Sequence, residues 1–294
     1  RDGIKYMHDQ TLRLMSHGYI SSEIANKIEF PPSLSRLWHL RGYYGTLKHN
    51  VQGIYSYYLG WYDGNPSNLD ILPPRDLAKK TIDYMGGVDN VIEKATLDYG
   101  NGEFRWVVNI LDKVLWVDPN NLKAKKLASL THTQLGFMSE NATWRNAYLS
   151  AAKELTKGMP KVYKNHRVLR DVLKGMSPIL LLNSLSIRLN GPKAVNFSFI
   201  INWKTENNND VCHSELSNCV LINRKGLIDK SDLTIHLRKD TLSKFALGEL
   251  TFEKFIKENI KIVGDTQVLK KLCKMLDNFP AWFPIATHDL KFEE

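Results

Sequence analysis

The chain has 294 residues, with 40 Lys or Arg against 31 Asp or Glu, a net charge of +9 with neutral histidines. Hydrophobic residues make up 43% and charged residues 24%, the balance of a folded globular chain, which excludes disordered, collagen-like and mucin-like classes. The length favours two domains, and the longest apolar run, Pro178 to Leu182, falls far short of the roughly 20 residues that cross a bilayer.

From Ile4 to about Lys164 apolar residues recur at three- and four-residue spacing, which places them on one face of a helix. The early part is broken at Gly18, at Pro31-Pro32, between Gly42 and Gly45, and across a long turn from Gly60 to Pro74. Val88 to Tyr99 reads as a helix closed by the Gly100-Asn101-Gly102 turn. The stripe Phe104, Val107, Val108, Leu111, Val114 and Leu115 stops before Asp118-Pro119, because proline cannot continue a helix. The next helix is expected to open at Asn120 or Asn121 as N-cap, to carry Leu122, Leu127, Leu130 and Leu135, and to give way near Gly136. Another runs from about Trp144 to Leu155. These segments resemble tetratricopeptide-like helix pairs in a loose register. Residues 1–165 are therefore expected to form an all-α domain that makes interfaces.

After Pro178 one more helix, Ile179 to Leu189, ends at Asn190-Gly191-Pro192. The period then changes to two. Val195 to Trp203, Ser214 to Leu221 and Leu233 to Leu237 read as antiparallel strands, followed by helices at about Leu242 to Leu247, Phe252 to Glu258 and Thr266 to Leu276. Residues 166–294 are expected to form an α+β domain.

The basic excess is spread evenly: residues 1–165 carry 21 basic and 16 acidic side chains, residues 166–294 carry 19 and 15, giving +5 and +4. With no arginine-rich run, zinc-finger spacing or aromatic RNA-binding strand, it reads as solubility, and no nucleic-acid partner is expected. Cys212, Cys219 and Cys273 are too few for a disulfide framework and lack zinc-ribbon spacing, so they read as ordinary thiols. The nine histidines are scattered, with no i, i+4 or H-x-H pair; His8-Asp9 reads as a solvated helix face. There is no G-x-S-x-G elbow and no phosphate-cradling loop. No complete catalytic set and no metal site is expected within these residues. The first residues form a charged amphipathic stretch rather than a signal sequence, and the start at Arg1 leads us to expect the natural N-terminus further upstream.

One stretch stands apart. Arg41 to Pro66 packs one His, six Tyr, one Trp and six Gly or Pro into 26 positions. Tyrosine hydroxyls and an imidazole can donate hydrogen bonds to an anion; an aromatic helix-packing seam would have the same composition.

These residues resemble the alkylsulfatases of the metallo-β-lactamase superfamily, which hydrolyse alkyl sulfate esters such as dodecyl sulfate. The matching segments are Tyr6 to Met15, Leu40 to Thr46, His49-Asn50-Val51, Leu59 to Pro66 and Tyr84 to Gly87, continued by Arg105-Trp106-Val107, Leu135-Gly136-Phe137 and Trp144 to Leu149. In the second half Leu185 to Ala194, Asn223 to Gly226, Leu237 with Leu242 to Glu249, and Ile262 to Asp265 match as well. The resemblance implies a helical dimerisation domain, pairing two copies, followed by a sterol-carrier-like domain. The family's H-x-H-x-D-H motif, with the two zinc ions it holds, would lie upstream of Arg1. By the same resemblance His49 matches a sulfate-contacting histidine, with Tyr44, Tyr58 and Tyr62 as candidate co-donors. An alkyl-chain groove is expected between the sheet face at Phe197, Phe199 and Ile201 and the helices bearing Phe245, Phe252 and Phe255. The alternatives are a filled core, a non-enzymatic acyl-chain-binding module with a helical partner-binding repeat, and a helical adaptor without ligand.

Overall fold

The computed structural model describes residues 1–159, 172, 175–205, 210–258, 260–280 and 282–288. Two compact units emerge, one of Arg1–Pro160 with Trp282–Glu294 and one of Lys161–Ala281. The expected division at 165 lies outside the described residues. Residues 282–288, placed by sequence with the second domain, pack with the helical unit.

In the helical unit α1 (Asp2–Met15), α2 (Ser21–Lys27), α3 (Pro32–Ser35) and α4 (Leu47–Leu59) precede α5 (Pro74–Tyr84), α6 (Val88–Gly100), α7 (Phe104–Val117), α8 (Leu122–Met138) and α9 (Ala142–Lys157). A small core of Leu14, Ile24, Ile28, Val51 and Tyr55 joins α1, α2 and α4. A larger one is centred on the single stripe Val107, Ile110, Leu111, Val114 and Leu115 of α7, the spacing that buries one helix face. Asn121 caps α8 by accepting from Ala124 N–H, and Asn141 caps α9 by accepting from Trp144 N–H. The α8 helix ends close to Gly136, as expected, but the glycine is not its cap. Helix α8 continues to Met138, and Gly136 sits inside it because a Cβ there would lie 2.8 Å from Leu149 Cδ2. The glycine serves helix contact, aided by the Ser129 hydroxyl donating to the Ala152 carbonyl at 2.9 Å.

The second unit holds α10 (Pro178–Arg188), β1 (Phe199–Thr205), β2 (Val211–Ser217), β3 (Val220–Lys225), β4 (Leu233–Leu237), α11 (Lys239–Ala246), α12 (Phe252–Phe255), β5 (Lys261–Gly264) and α13 (Thr266–Met275). The sheet order is β3-β2-β1-β4-β5. The sequence-expected run Ser214 to Leu221 is split by a tight turn at Asn218 and Cys219, both at positive φ, the geometry that two-residue hairpins favour. The all-antiparallel expectation is corrected at one pair: β1 and β4 are parallel. Their connection is pinned by buried Asn202, whose amide donates to the Ile228 carbonyl at 2.8 Å and accepts from Ile228 N–H at 3.1 Å. Trp203 N–H donates to Ser214 Oγ at 2.8 Å, which donates to Asn223 Oδ1 at 2.6 Å; Asn223 Nδ2 then reaches Ser186 of α10 at 2.8 Å. This satisfied chain ties the helix to the sheet.

Phe199, Ile201, Phe245 and Phe255 are all buried in one cluster, so the expected groove between them is filled by their own side chains. Among the described residues no helix is long and apolar enough to cross a membrane.

Gly264 has φ +110°, and a Cβ there would lie 2.4 Å from the Asp232 carbonyl oxygen, whereas Gly226, at φ +97°, faces open space. Gly264→Ala is expected to destabilise the second unit by about 1–3 kcal/mol more than Gly226→Ala, since backbone strain is common to both and the clash is not. Urea unfolding of the two variants measures the difference.

Candidate functional site

The aromatic stretch begins in a loop that the last helix of its unit holds in place. Asn141 is 3% exposed. Besides capping α9, its amide donates to the Tyr44 carbonyl, to which the Thr143 hydroxyl also donates at 3.2 Å. Ala142 N–H donates to the Tyr43 carbonyl at 2.8 Å, and Arg41 pairs with Glu140. With both carbonyls satisfied from α9, the loop delivers Thr46 as the cap of α4, accepting from His49 N–H at 2.9 Å. His49 thus stands in the first turn of α4, exposed, opposite Trp144 in the first turn of α9.

That pairing fixes a tautomer. Indole N–H can only donate, and Trp144 Nε1 lies 3.3 Å from His49 Nδ1, so Nδ1 accepts and the proton of the neutral ring resides on Nε2. His49 therefore presents Nε2–H as a donor without needing a positive charge.

Tyr58 belongs to a different constellation. It lies nine residues from His49 on α4, two and a half turns, so the two side chains leave opposite faces about 13 Å apart along the axis. Tyr58 Oη is 2.8 Å from His8 Nε2, and His8 Nδ1 is 3.0 Å from Asp9 Oδ1. Asp9 also accepts from Lys5 at 2.6 Å. The hydrogen bond from Lys5, then that from His8, holds the Asp9 carboxyl below the usual carboxylate range. With Asp9 ionised, neutral His8 carries its proton on Nδ1, and Tyr58 spends its hydroxyl proton on Nε2. Protonated His8 reverses that bond and releases the Tyr58 O–H to donate elsewhere.

Tyr44 is 81% exposed, held through its carbonyl rather than its ring. Tyr62 is half-buried with its ring 5.8 Å from Trp61. The turn after it is ordered by Asp63, which accepts from Asn65 N–H at 2.9 Å and Asn68 Nδ2 at 2.7 Å. Among the described residues no hydrogen bond or ring contact joins any two of His49, Tyr44, Tyr58 and Tyr62. Of their partners, Trp144 is not singled out by the sequence and His8, with Asp9, reads there as a solvated helix face, although both lie in segments that carry the family resemblance.

A half-open cavity of about 270 Å³ elsewhere in the helical unit is lined by Arg105, Asn109, Asp112 and His132. Burial pushes the His132 imidazole below 6.5, partly countered by Asp112, and its Nδ1 has no hydrogen-bond partner among the described residues. In the second unit a surface pocket of about 260 Å³ is lined by Phe245, Leu250 and Phe252 with Lys270 and Lys274 beside them. Burial raises the Cys273 thiol in its wall to about 12, so that thiol is inert near neutrality. Among the described residues no group of three or more His, Cys, Asp and Glu is placed to hold a metal ion. The zinc pair implied by the resemblance thus finds no ligand set among these residues.

The two units are those of alkylsulfatases. Residues 21–158 match the family described as alkyl sulfatase dimerisation, and residues 167–288 the family described as alkyl sulfatase C-terminal. The chain thus belongs to the alkylsulfatases as a dimerisation domain followed by a C-terminal domain. It is similar to the alkyl/aryl-sulfatase BDS1 of Saccharomyces cerevisiae, 40% identical over 97% of this chain and 44% of that protein. A linear primary-alkylsulfatase from a Pseudomonas species is 37% identical over 98% of this chain and 43% of that protein. The solved stereoselective inverting sec-alkylsulfatase Pisa1 from Pseudomonas superposes with a TM-score of 0.88 at 35% identity, covering 97% of this chain and 45% of that one. The chain spans about half the length of these relatives.

Two measurements check the electrostatics. Lys5→Ala is expected to move the Asp9 titration, followed by carboxyl NMR, up towards 3.8. His132 is held neutral by folding, so below about 6.5 the unfolded chain binds a proton that the folded chain does not. Stability therefore falls as pH drops through that value. The wild type is expected to lose more stability than His132→Leu between pH 7.5 and 5.5 in urea unfolding.

Proposed function

We propose that this chain is the dimerising and substrate-gripping part of an alkylsulfatase, an enzyme that takes R–O–SO₃⁻ and water to ROH and hydrogen sulfate. The observation that carries the proposal is the His49–Trp144 pair, set in the first turns of two helices of the alkyl sulfatase dimerisation domain, with a neutral N–H donor turned away from the indole. A sulfate monoester presents three equivalent oxygens sharing one charge, and fixed donors orient its scissile bond without reorganisation. Tyr62 and Tyr44 are co-donors in this proposal; Tyr58 joins them only when His8 is protonated.

The remaining roles divide by unit. The helical unit pairs two copies of the protein, with α6 to α9 as tetratricopeptide-like stacked pairs. The second unit takes a sterol-carrier-like part, receiving the alkyl tail at Phe245, Leu250 and Phe252 with Lys270 and Lys274 near the anionic head. At roughly 0.8 kcal/mol per buried methylene, even a few carbons held there assist binding. The two zinc ions belong, in this proposal, to residues outside this sequence, and this chain on its own does not turn over substrate.

The same pocket favours a second reading, a non-enzymatic acyl-chain module. Dodecyl sulfate hydrolysis separates the two. The proposal expects no turnover by residues 1–294 alone and turnover by a protein that carries them together with the remainder found in the relatives. In that longer protein His49→Ala is expected to lower kcat/KM by on the order of 10²-fold, the scale of one lost donor, and Trp144→Phe by less. Turnover by the isolated chain overturns the division of labour; a longer protein that binds dodecyl sulfate without hydrolysing it favours the carrier.

A further inference from the structure

Residues 282–288 are part of the helical unit, and what fastens them is a carboxylate. Glu154, on α9, is 3% exposed. Its Oε1 accepts from the N–H groups of Ile285 at 3.1 Å, Ala286 at 2.9 Å and Thr287 at 3.0 Å, and from the Thr287 hydroxyl at 3.0 Å; its Oε2 accepts from Ile285 N–H at 3.0 Å. Successive backbone N–H groups converging on one anion make the concave site that loops use to hold phosphate or carboxylate. Here the anion is fixed in a helix and the amides arrive with the tail.

Two flanking contacts set the register. Ala286 is buried in the same cluster as Leu111, Ala128 and Leu155. His288 places Nε2 2.5 Å from Asp112 Oδ1 and stacks its ring on Trp116, centroids 3.9 Å apart and planes 7° from parallel. Asp112 and Trp116 are four residues apart on α7, hence on one face. All the hydrogen bonds that the Glu154 side chain makes among the described residues come from this tail. A buried carboxylate stripped of its donors is strongly unfavourable, so the helical unit is incomplete until residues 285–287 arrive.

We infer that the Glu154 carboxylate, with the Asp112–Trp116 face of α7 beside it, is a peptide-recognition site, and that its ligand is this chain's own segment 285–288. The site reads three consecutive free amides, a small residue in the middle, and an imidazole one position further on. Ile285 and Ala286 also form one wall of the cavity that holds Arg105, Asn109 and His132, so an undocked tail leaves that cavity open. None of this depends on the enzymatic proposal, and its test reads no activity.

Amide hydrogen exchange on the whole chain tests it. In the wild type the amides of 285, 286 and 287 are expected to exchange slowly. Glu154→Gln turns a donor toward those donors, and their protection is expected to fall at least tenfold while the β1 amides of Ile201 and Trp203 keep theirs. Where the variant also loosens Leu111 and Val114 of α7, Thr287→Val decides: it removes only the hydroxyl, and exchange at 285–287 is expected to speed up about threefold with α7 unchanged. Wild-type tail amides exchanging at the rate of an unstructured peptide, or equal protection in the wild type and both variants, overturn the assignment.

Discussion

The candidate site depends on one side chain, the buried amide of Asn141. A carbamoyl group offers an acceptor oxygen and a two-hydrogen donor, and both ends are engaged: the oxygen caps α9 through Trp144 N–H, and the nitrogen holds the Tyr44 carbonyl. Because one planar group does both, the start of α9 and the aromatic loop cannot shift independently. The loop in turn sets Thr46, which caps α4, and the two caps bring His49 and Trp144 face to face. Aspartate would keep the cap and lose the donor to Tyr44; serine would be too short to do both.

This arrangement changes what the aromatic stretch means chemically. Composition supplies hydroxyls and an imidazole, but donor capacity depends on where each proton already is. His49 is a ready donor because its neighbour can only donate. Tyr58 is not, while His8 is neutral, because its proton is committed to the ring beside it. Four residues that look equivalent as letters therefore differ in kind: His49 is positioned by a partner of fixed polarity, Tyr58 is conditional on a charge, Tyr62 is set by an ordered turn, and Tyr44 is secured only through its backbone.

Periodicity makes the single stripe of α7 and the asparagine cap of α8 legible in the sequence, because helix burial and capping are local in the chain, whereas the Asn141 cap of α9 is found only in the structure. Gly136 marks the neighbourhood of the helix end but not its own role, since a glycine that ends a helix and one that admits Leu149 against its flank are the same letter; only the neighbouring helix tells them apart. The parallel β1–β4 pair and the two-residue turn at Asn218-Cys219 are hidden for related reasons. One is a pairing set by a pinned crossover far along the chain, and the other places cysteine where glycine would have signalled a turn. The groove between the phenylalanines is a matter of volume. Sequence gives their spacing along the strands and helices, but whether they line a space or fill it follows only from packing, and they fill it.

The same helix serves the two polar anchors of its unit, and their separation matters. Trp144 and Glu154 lie ten residues apart on α9, about 15 Å along its axis, with the loop-holding cap at one end and the tail-holding carboxylate towards the other. Capping bonds close within the first turn and draw on side chains three residues apart, so they persist when the far end of the helix frays. The carboxylate has no such local support; its donors come from more than 130 positions along the chain. The caps that shape α4 and α9 are thus local, but the bonds that bring His49 and Trp144 together, like those that hold residues 285–287, join positions about a hundred or more apart, so both anchors of α9 depend on the packed unit rather than on the helix alone.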